Sequence, residues 1–261
     1  MMRKRVKLAQ PMHNHTTSSV AFVLPTVREE WRARFPTISS LARIGAIAIV
    51  GLLLLPYALV LVYRFVDPPI SSFMARKALA GTSIEQTWVP LDEISRNLVR
   101  MVVVSEDSAF CEHRGVDWRA VKDAVQTARD RDIPRGASTI PMQLAKNLFL
   151  WPGQTYFRKA LEVPIAYFIS LTWPKRRVIE VYLNIAEWGP GVFGAEAAAR
   201  YHFGRRASDL TIGEAALLAA SLPNPIVRRA GKPGPGVSRL ASRLQARFRR
   251  ESASAAACIF S

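Results

Sequence analysis

In the segment Ser105-Glu-Asp-Ser-Ala-Phe-Cys-Glu-His-Arg-Gly115, two adjacent carboxylates follow the apolar run Met101-Val-Val-Val104, with Phe110 and His113 behind them. If a helix over 92–105 continues for one more turn, Glu106, Phe110 and His113 fall at i, i+4 and i+7 and share a face, while Asp107 points elsewhere. A carboxylate set among aromatic and aliphatic neighbours loses hydration, so its pKa rises and it becomes a better proton acceptor near neutral pH. The plainer reading of this stretch alone is a helix end whose exposed acids touch nothing.

Two further segments supply the opposite charge. In Arg135-Gly-Ala-Ser-Thr-Ile-Pro-Met-Gln-Leu-Ala-Lys-Asn147, Gly136 and Ser138 lead into a helix on which Gln143, Lys146 and Asn147 fall at i, i+3 and i+4, and Ile140, Leu144 and Leu148 form a separate stripe. Free backbone N–H groups at that helix start, with the hydroxyls of Ser138 and Thr139 and a lysine two turns on, suit an anion; a capped surface helix would show the same residues. Arg158 and Lys159 stand one turn before Glu162, and the Arg158–Glu162 spacing also fits an ordinary surface ion pair. Taken together, Glu106, Glu162, Lys146, Arg158 and Lys159 suit transfer of a sugar from a diphosphate donor. One acid takes the proton of the attacking hydroxyl, and the cations hold the departing diphosphate. A hydrolase needs two acids but has no use for a phosphate clamp.

The elements that must position these groups read as successive helices. Asp92 can cap a segment with Ile94, Leu98 and Met101 on one stripe, Pro174 separates two further helical runs, and Thr211-Ile-Gly-Glu214 has the form of a capping box. No stretch alternates well enough to predict a sheet. Ahead of them, residues 44–63 hold 20 uncharged, mostly apolar residues between Arg43 and Arg64, enough to cross the ~30 Å hydrocarbon core of a bilayer. Pro56 is tolerable within such a span. The 43 residues before it are too long for an ordinary signal peptide, so an uncleaved anchor is expected, and the bias of Arg and Lys upstream puts the amino terminus in the cytoplasm. The expected organisation is a tail at 1–43, an anchor at 44–63, a connector at 64–84, a catalytic domain at 85–228 and a basic tail at 229–261. In that last segment Leu240, Leu244 and Phe248 form one apolar stripe among arginines, which suits either a helix lying on anionic lipid or a solvated tail.

The order and spacing of these residues resemble the peptidoglycan glycosyltransferase family, in its monofunctional, membrane-anchored branch. Its Glu-Asp-x-x-Phe-x-x-His-x-Gly pattern is similar to Glu106, Asp107, Phe110, His113 and Gly115. Its Gly-x-Ser-Thr-Ile-x-x-Gln block is similar to Gly136, Ser138, Thr139, Ile140 and Gln143, and its Arg-Lys-x-x-Glu block to Arg158, Lys159 and Glu162. A fourth block resembles Lys175, Val178, Ile179, Glu180, Tyr182, Leu183 and Asn184. The resemblance implies a mainly α, lysozyme-like glycosyltransferase domain behind one N-terminal transmembrane helix, in the bacterial inner membrane with the catalytic domain periplasmic. It implies inverting polymerisation of lipid II into glycan strands. Glu106 would be the base and Glu162 the second acid on the donor side. Ser138, Thr139, Gln143, Lys146, Asn147, Arg158 and Lys159 would bind substrate, with Asp107, Phe110 and His113 in support. One departure is Pro141-Met142, where the family has a polar residue and a glutamine.

The net charge of +16 calls for an anionic partner. On this reading the partners are lipid II, the growing glycan strand and membrane lipids, with penicillin-binding and cell-division proteins as associates and no nucleic acid. No cofactor is required, although a divalent Mg or Mn ion could sit at the donor diphosphate, and His113 is read as a hydrogen-bonding residue and not a metal ligand. Cys111 and Cys258 are the only cysteines; a bridge between them is an option outside the cytoplasm that the sequence does not settle. No Ser-x-x-Lys occurs, so no transpeptidase activity is expected. The rival reading is a membrane-bound, lysozyme-like enzyme that cuts glycan.

Overall fold

A computed structural model describes residues 38–127, 137–153 and 155–260; Gly136 and the tail before residue 38 lie outside them. The described residues divide into two units between Gly51 and Leu52. Helix α1, Ile38–Tyr63, begins six residues before the expected span, and its stretch Ser39–Tyr63 is long and apolar enough to cross a membrane. Within the larger unit the last turns of α1 are bonded to residues further along the chain: Trp173 Nε1 donates to Val60 O at 2.7 Å, and the Arg177 guanidinium donates to Tyr63 O at 3.0 and 3.1 Å.

The larger unit is helical, as its periodicity predicts. After α2, Ser72–Leu79, come α3, Arg96–Glu106, α4, Trp118–Thr127, and α5, Ile140–Phe149. Helices α6, Tyr156–Thr172, α7, Lys175–Ile185, α8, Ala195–Phe203, and α9, Ile212–Ser221, follow, and α10, Pro235–Ala255, and α11, Ala257–Phe260, close the chain. Helix α3 is the core helix, with Leu98, Val99 and Met101 to Val104 buried against α9 and α10. The proposed capping box at Thr211 is present: Glu214 N–H donates to Thr211 Oγ1, and Glu214 Oε2 accepts from Thr211 N–H.

Four expectations are corrected. Ser95, not Asp92, caps α3, because Ile94 is extended and separates α3 from a single 3₁₀ turn at Leu91–Glu93. Helix α3 stops at Glu106 and does not run on through His113. A small sheet exists although no alternation announced it: β1, Glu85–Gln86, runs parallel to β3, Val192–Phe193, which pairs antiparallel with β2, Glu187–Gly189. Strands of two or three residues are too short to show a period. Finally, the basic C-terminal segment is neither a lipid-lying helix nor a solvated tail. The expected stripe of α10 lies on the protein itself, with Leu244 and Phe248 buried and Leu240 half-buried against the core, Ala241 buried beside them, and Cys258 beyond it is disulfide-bonded to Cys111 across 147 residues. Burying that stripe on α3 and α9 removes the apolar surface that a bilayer would otherwise take.

Candidate functional site

Glu106 is the last residue of α3, half-buried, and three groups hold it. Gln143 Nε2 donates to its Oε2 at 3.1 Å, Ser105 Oγ donates to its Oε1 at 3.2 Å, and the ammonium of Lys146 acts on it electrostatically. Burial nevertheless keeps its pKa above the ordinary carboxylate value, against those hydrogen bonds and that charge. Gln143 is itself oriented from behind: Tyr182 Oη donates to its Oε1 at 2.9 Å, which leaves the amide N–H₂ for the carboxylate. Burial and the nearby Glu106 and Asp107 hold the Tyr182 phenol well above its usual pKa, so it keeps the proton it donates.

Asp107 does not point away from this region. Its carboxylate is buried, 2.8 and 3.0 Å from His113 Nε2, and it accepts the Ile140 N–H at 2.9 Å, a free donor at the start of α5. Those two partners pull residues 107–115 out of helical continuation. Phe110 is therefore core, and His113 supports Asp107 instead of sharing a face with Glu106. Lys175 Nζ donates to the carbonyls of Phe110 and His113 and so closes the turn; burial lowers its pKa to about 8. Gly115 has φ +99°, and a Cβ there would come 2.8 Å from Ala166 O on α6, so glycine lets the turn pack directly on that helix.

On α5, Thr139 is the N-cap. Its hydroxyl accepts from Met142 N–H and donates to Gly115 O, which commits it to the fold. Pro141 and Met142 lie on the buried face, away from Gln143, Lys146 and Asn147, so this departure from the family pattern falls in the core. Lys146 sits 5.5 Å from the ring centroid of Phe73 on α2, and its pKa is lowered by burial and by Arg158, with Glu106 opposing. Helix α2 is fastened there by Ser72 Oγ, which donates to Asn147 O at 3.1 Å.

On α6, Arg158 and Glu162 are a buried pair, not a surface one. Glu162 is 2% exposed and also meets Lys159 Nζ at 2.9 Å; that ammonium donates to Ser138 Oγ at 2.8 Å as well. Burial, then repulsion by Arg158 and Lys146, brings the Lys159 pKa down to about 8. The predicted acids and cations therefore converge: Glu106 is coupled to Lys146, Lys146 to Arg158, and Arg158 and Lys159 to Glu162. The Glu106–Gln143 hydrogen bond joins a lining residue of one cavity to a lining residue of another. One, of about 210 Å³, is lined by Glu106, Ser138 and Thr139; the other, of about 190 Å³, by Gln143, Lys146, Asn147, Phe73 and Tyr182.

Sequence reasoning gave Tyr182, Lys175 and Phe73 no role. The signal for Tyr182 was a phenol within the apolar run Val178, Ile179, Val181 and Leu183, where a buried hydroxyl needs a partner. Among the described residues no group of three or more His, Cys, Asp or Glu side chains could hold a metal ion. Of the site's other acids, Asp107 is engaged with His113 and Glu162 with two cations, while Asp117, which also lines the Glu106 cavity, accepts from the Arg119 and Ala120 N–H groups at the start of α4.

Residues 74–247 match the family profile for transglycosylases. A relative from Nitrobacter hamburgensis is 52% identical over 207 residues, covering 79% of this chain and 91% of the relative. One from Rhizobium meliloti is 47% identical over 222 residues, covering 84% and 94%, and one from Rhodospirillum centenum is 56% identical over 193 residues, covering 72% and 82%. All three are named biosynthetic peptidoglycan transglycosylase.

Proposed function

The chain belongs to the transglycosylase family and is a peptidoglycan transglycosylase, and from that premise we propose that it polymerises lipid II. In this reading the growing glycan passes from its undecaprenyl diphosphate carrier to the 4-hydroxyl of the N-acetylglucosamine of lipid II. Glu106 takes the hydroxyl proton, the oxygen attacks the anomeric carbon from the face opposite the diphosphate, and the carbon–oxygen bond to the diphosphate breaks with inversion. The observation that carries it is the coupling of a burial-raised carboxylate to a cation cluster through one hydrogen-bonded seam, Glu106–Gln143 beside Lys146.

The raised pKa suits Glu106 to act as a base near neutral pH, a role that contributes about 10²- to 10⁴-fold to rate. Lys146, Arg158 and Lys159 take up the charge on the departing diphosphate. Glu162, carrying two cations on one carboxylate, serves the donor side by fixing them in place and not by transferring a proton. Lining by Ser138, Gln143 and Asn147 suits contacts to the sugars and phosphates. The Cys111–Cys258 disulfide supports a body outside the cytoplasm, where such bonds persist, and with α1 as anchor that means the outer face of the inner membrane. The lack of a Ser-x-x-Lys supports leaving peptide cross-linking to other proteins.

Incubating the full-length protein with lipid II, and separately with finished glycan sacculi, tests this directly. Polymer and free undecaprenyl diphosphate from lipid II are expected. Soluble fragments from sacculi, with no polymer from lipid II, would favour the glycan-cutting alternative.

A further inference from the structure

We infer that Arg247, on the C-terminal helix α10, binds an anionic oxygen group of the acceptor, phosphate or carboxylate, beside Glu106. This rests on the polymerase reading above. Arg247 lines the same 210 Å³ cavity as Glu106, although 141 residues of sequence separate them, and among the described residues lining that cavity it is the only cation. Lys146 lines the other cavity, across the Glu106–Gln143 seam. A hydroxyl that gives its proton to Glu106 must approach through the cavity that Glu106 faces. The acceptor bearing that hydroxyl carries its own phosphates and peptide carboxylates, and Lys146, Arg158 and Lys159 are already occupied with the departing diphosphate. Among the described residues that line the cavity, Arg247 is the cation left to meet it.

The guanidinium is also held at a defined depth. Ala241, Leu244 and Phe248 anchor its helix on the core, and the disulfide just beyond α10 ties Cys258 to Cys111 in the turn that follows Glu106. Its present partner is Glu251, at 3.0 and 3.2 Å, one turn on. An arginine placed ahead of its glutamate is the weaker orientation of such pairs, and exposed pairs of this kind contribute about 0.3 to 0.5 kcal/mol. That pairing is easily exchanged for a substrate anion.

The test is steady-state polymerisation of lipid II by the full-length wild type, Arg247→Ala, Arg247→Lys and Glu251→Gln. Losing a hydrogen bond to a charged group predicts KM raised about tenfold in Arg247→Ala, with kcat within about threefold. Arg247→Lys should recover part of that loss, and Glu251→Gln should leave KM unchanged or lower. If Arg247 merely closes the ion pair on α10, Arg247→Ala and Glu251→Gln behave alike and leave KM at the wild-type value, and the inference falls. Wild-type protein that makes no polymer removes the polymerase reading itself, and this inference with it. Repeating the series on lipid II with amidated peptide carboxylates separates the two sources: a penalty that vanishes identifies a carboxylate, and one that persists identifies a phosphate.

Discussion

Helices α6 and α10 are both rich in charge, yet the fold treats them differently. On α6, Arg158 and Glu162 are buried, Lys159 bridges Glu162 to Ser138, and the environment brings the lysine down to about 8. On α10, Arg239, Arg243, Arg249 and Arg250 are exposed. Arg247 is the exception, half-buried at the edge of the Glu106 cavity. Charge density along a helix therefore does not mark a site; desolvation and pairing across elements do, because only a desolvated charge acts strongly on a neighbour.

The largest expected effect lies at the acid these cations serve. Glu106→Gln keeps the shape of the side chain and removes the proton acceptor, so polymerisation of lipid II should fall by about 10²- to 10⁴-fold with the circular dichroism spectrum retained. Activity within threefold of wild type would exclude Glu106 as the base. Next comes Arg158→Ala, which strips a buried carboxylate of one partner and should destabilise by about 3 kcal/mol, read from denaturant unfolding. A loss below about 0.5 kcal/mol would place that pair in the same class as the exposed arginines of α10.

Tyr182→Phe leaves the Gln143 carbonyl without its donor and frees the amide to rotate away from Glu106. About 1 kcal/mol, or roughly fivefold in kcat, is the expected cost. Unchanged kcat would remove the phenol from the positioning chain. The pH profile of kcat/KM should be bell-shaped. It rises as Glu106 ionises, displaced above the ordinary carboxylate range because burial raises that pKa, and it falls above about 8 as Lys159 loses the charge needed for the diphosphate. Lys159→Arg should move the falling limb upward, since a guanidinium stays charged. A limb that does not move assigns it to another group. The smallest effect is expected on α10: replacing Arg249 and Arg250 together by Ala should alter stability by no more than about 0.5 kcal/mol and leave kcat unchanged.

Much of the site could be read in advance because its signals are local. The apolar span before Arg64, the Thr211–Glu214 cap and the buried stripe of Ile140, Leu144 and Leu148 each follow from spacing within a few turns. The cations of α5 and α6 and the acid at the end of α3 could be named from residue type and order alone. Three features could not be read that way. Helix α3 ends at Glu106 because Asp107 finds His113 and the Ile140 N–H, partners that exist only once α5 is in place. The stripe on α10 shows an amphipathic helix but not which surface covers it. The join of Cys111 to Cys258 depends on two chain segments meeting across the body.

Residue types and their short-range spacing thus determined by themselves the long apolar helix, the helical body and the acids and cations in the order that a transglycosylase has them. Tertiary structure alone decided which of those charges lose water and whom they meet. Tyr182 behind Gln143, Lys159 between Ser138 and Glu162, and Arg247 beside Glu106 are placements of that kind. The reason is physical. A helical period is written in neighbouring residues, whereas hydration and pairing depend on surfaces brought together from distant parts of the chain.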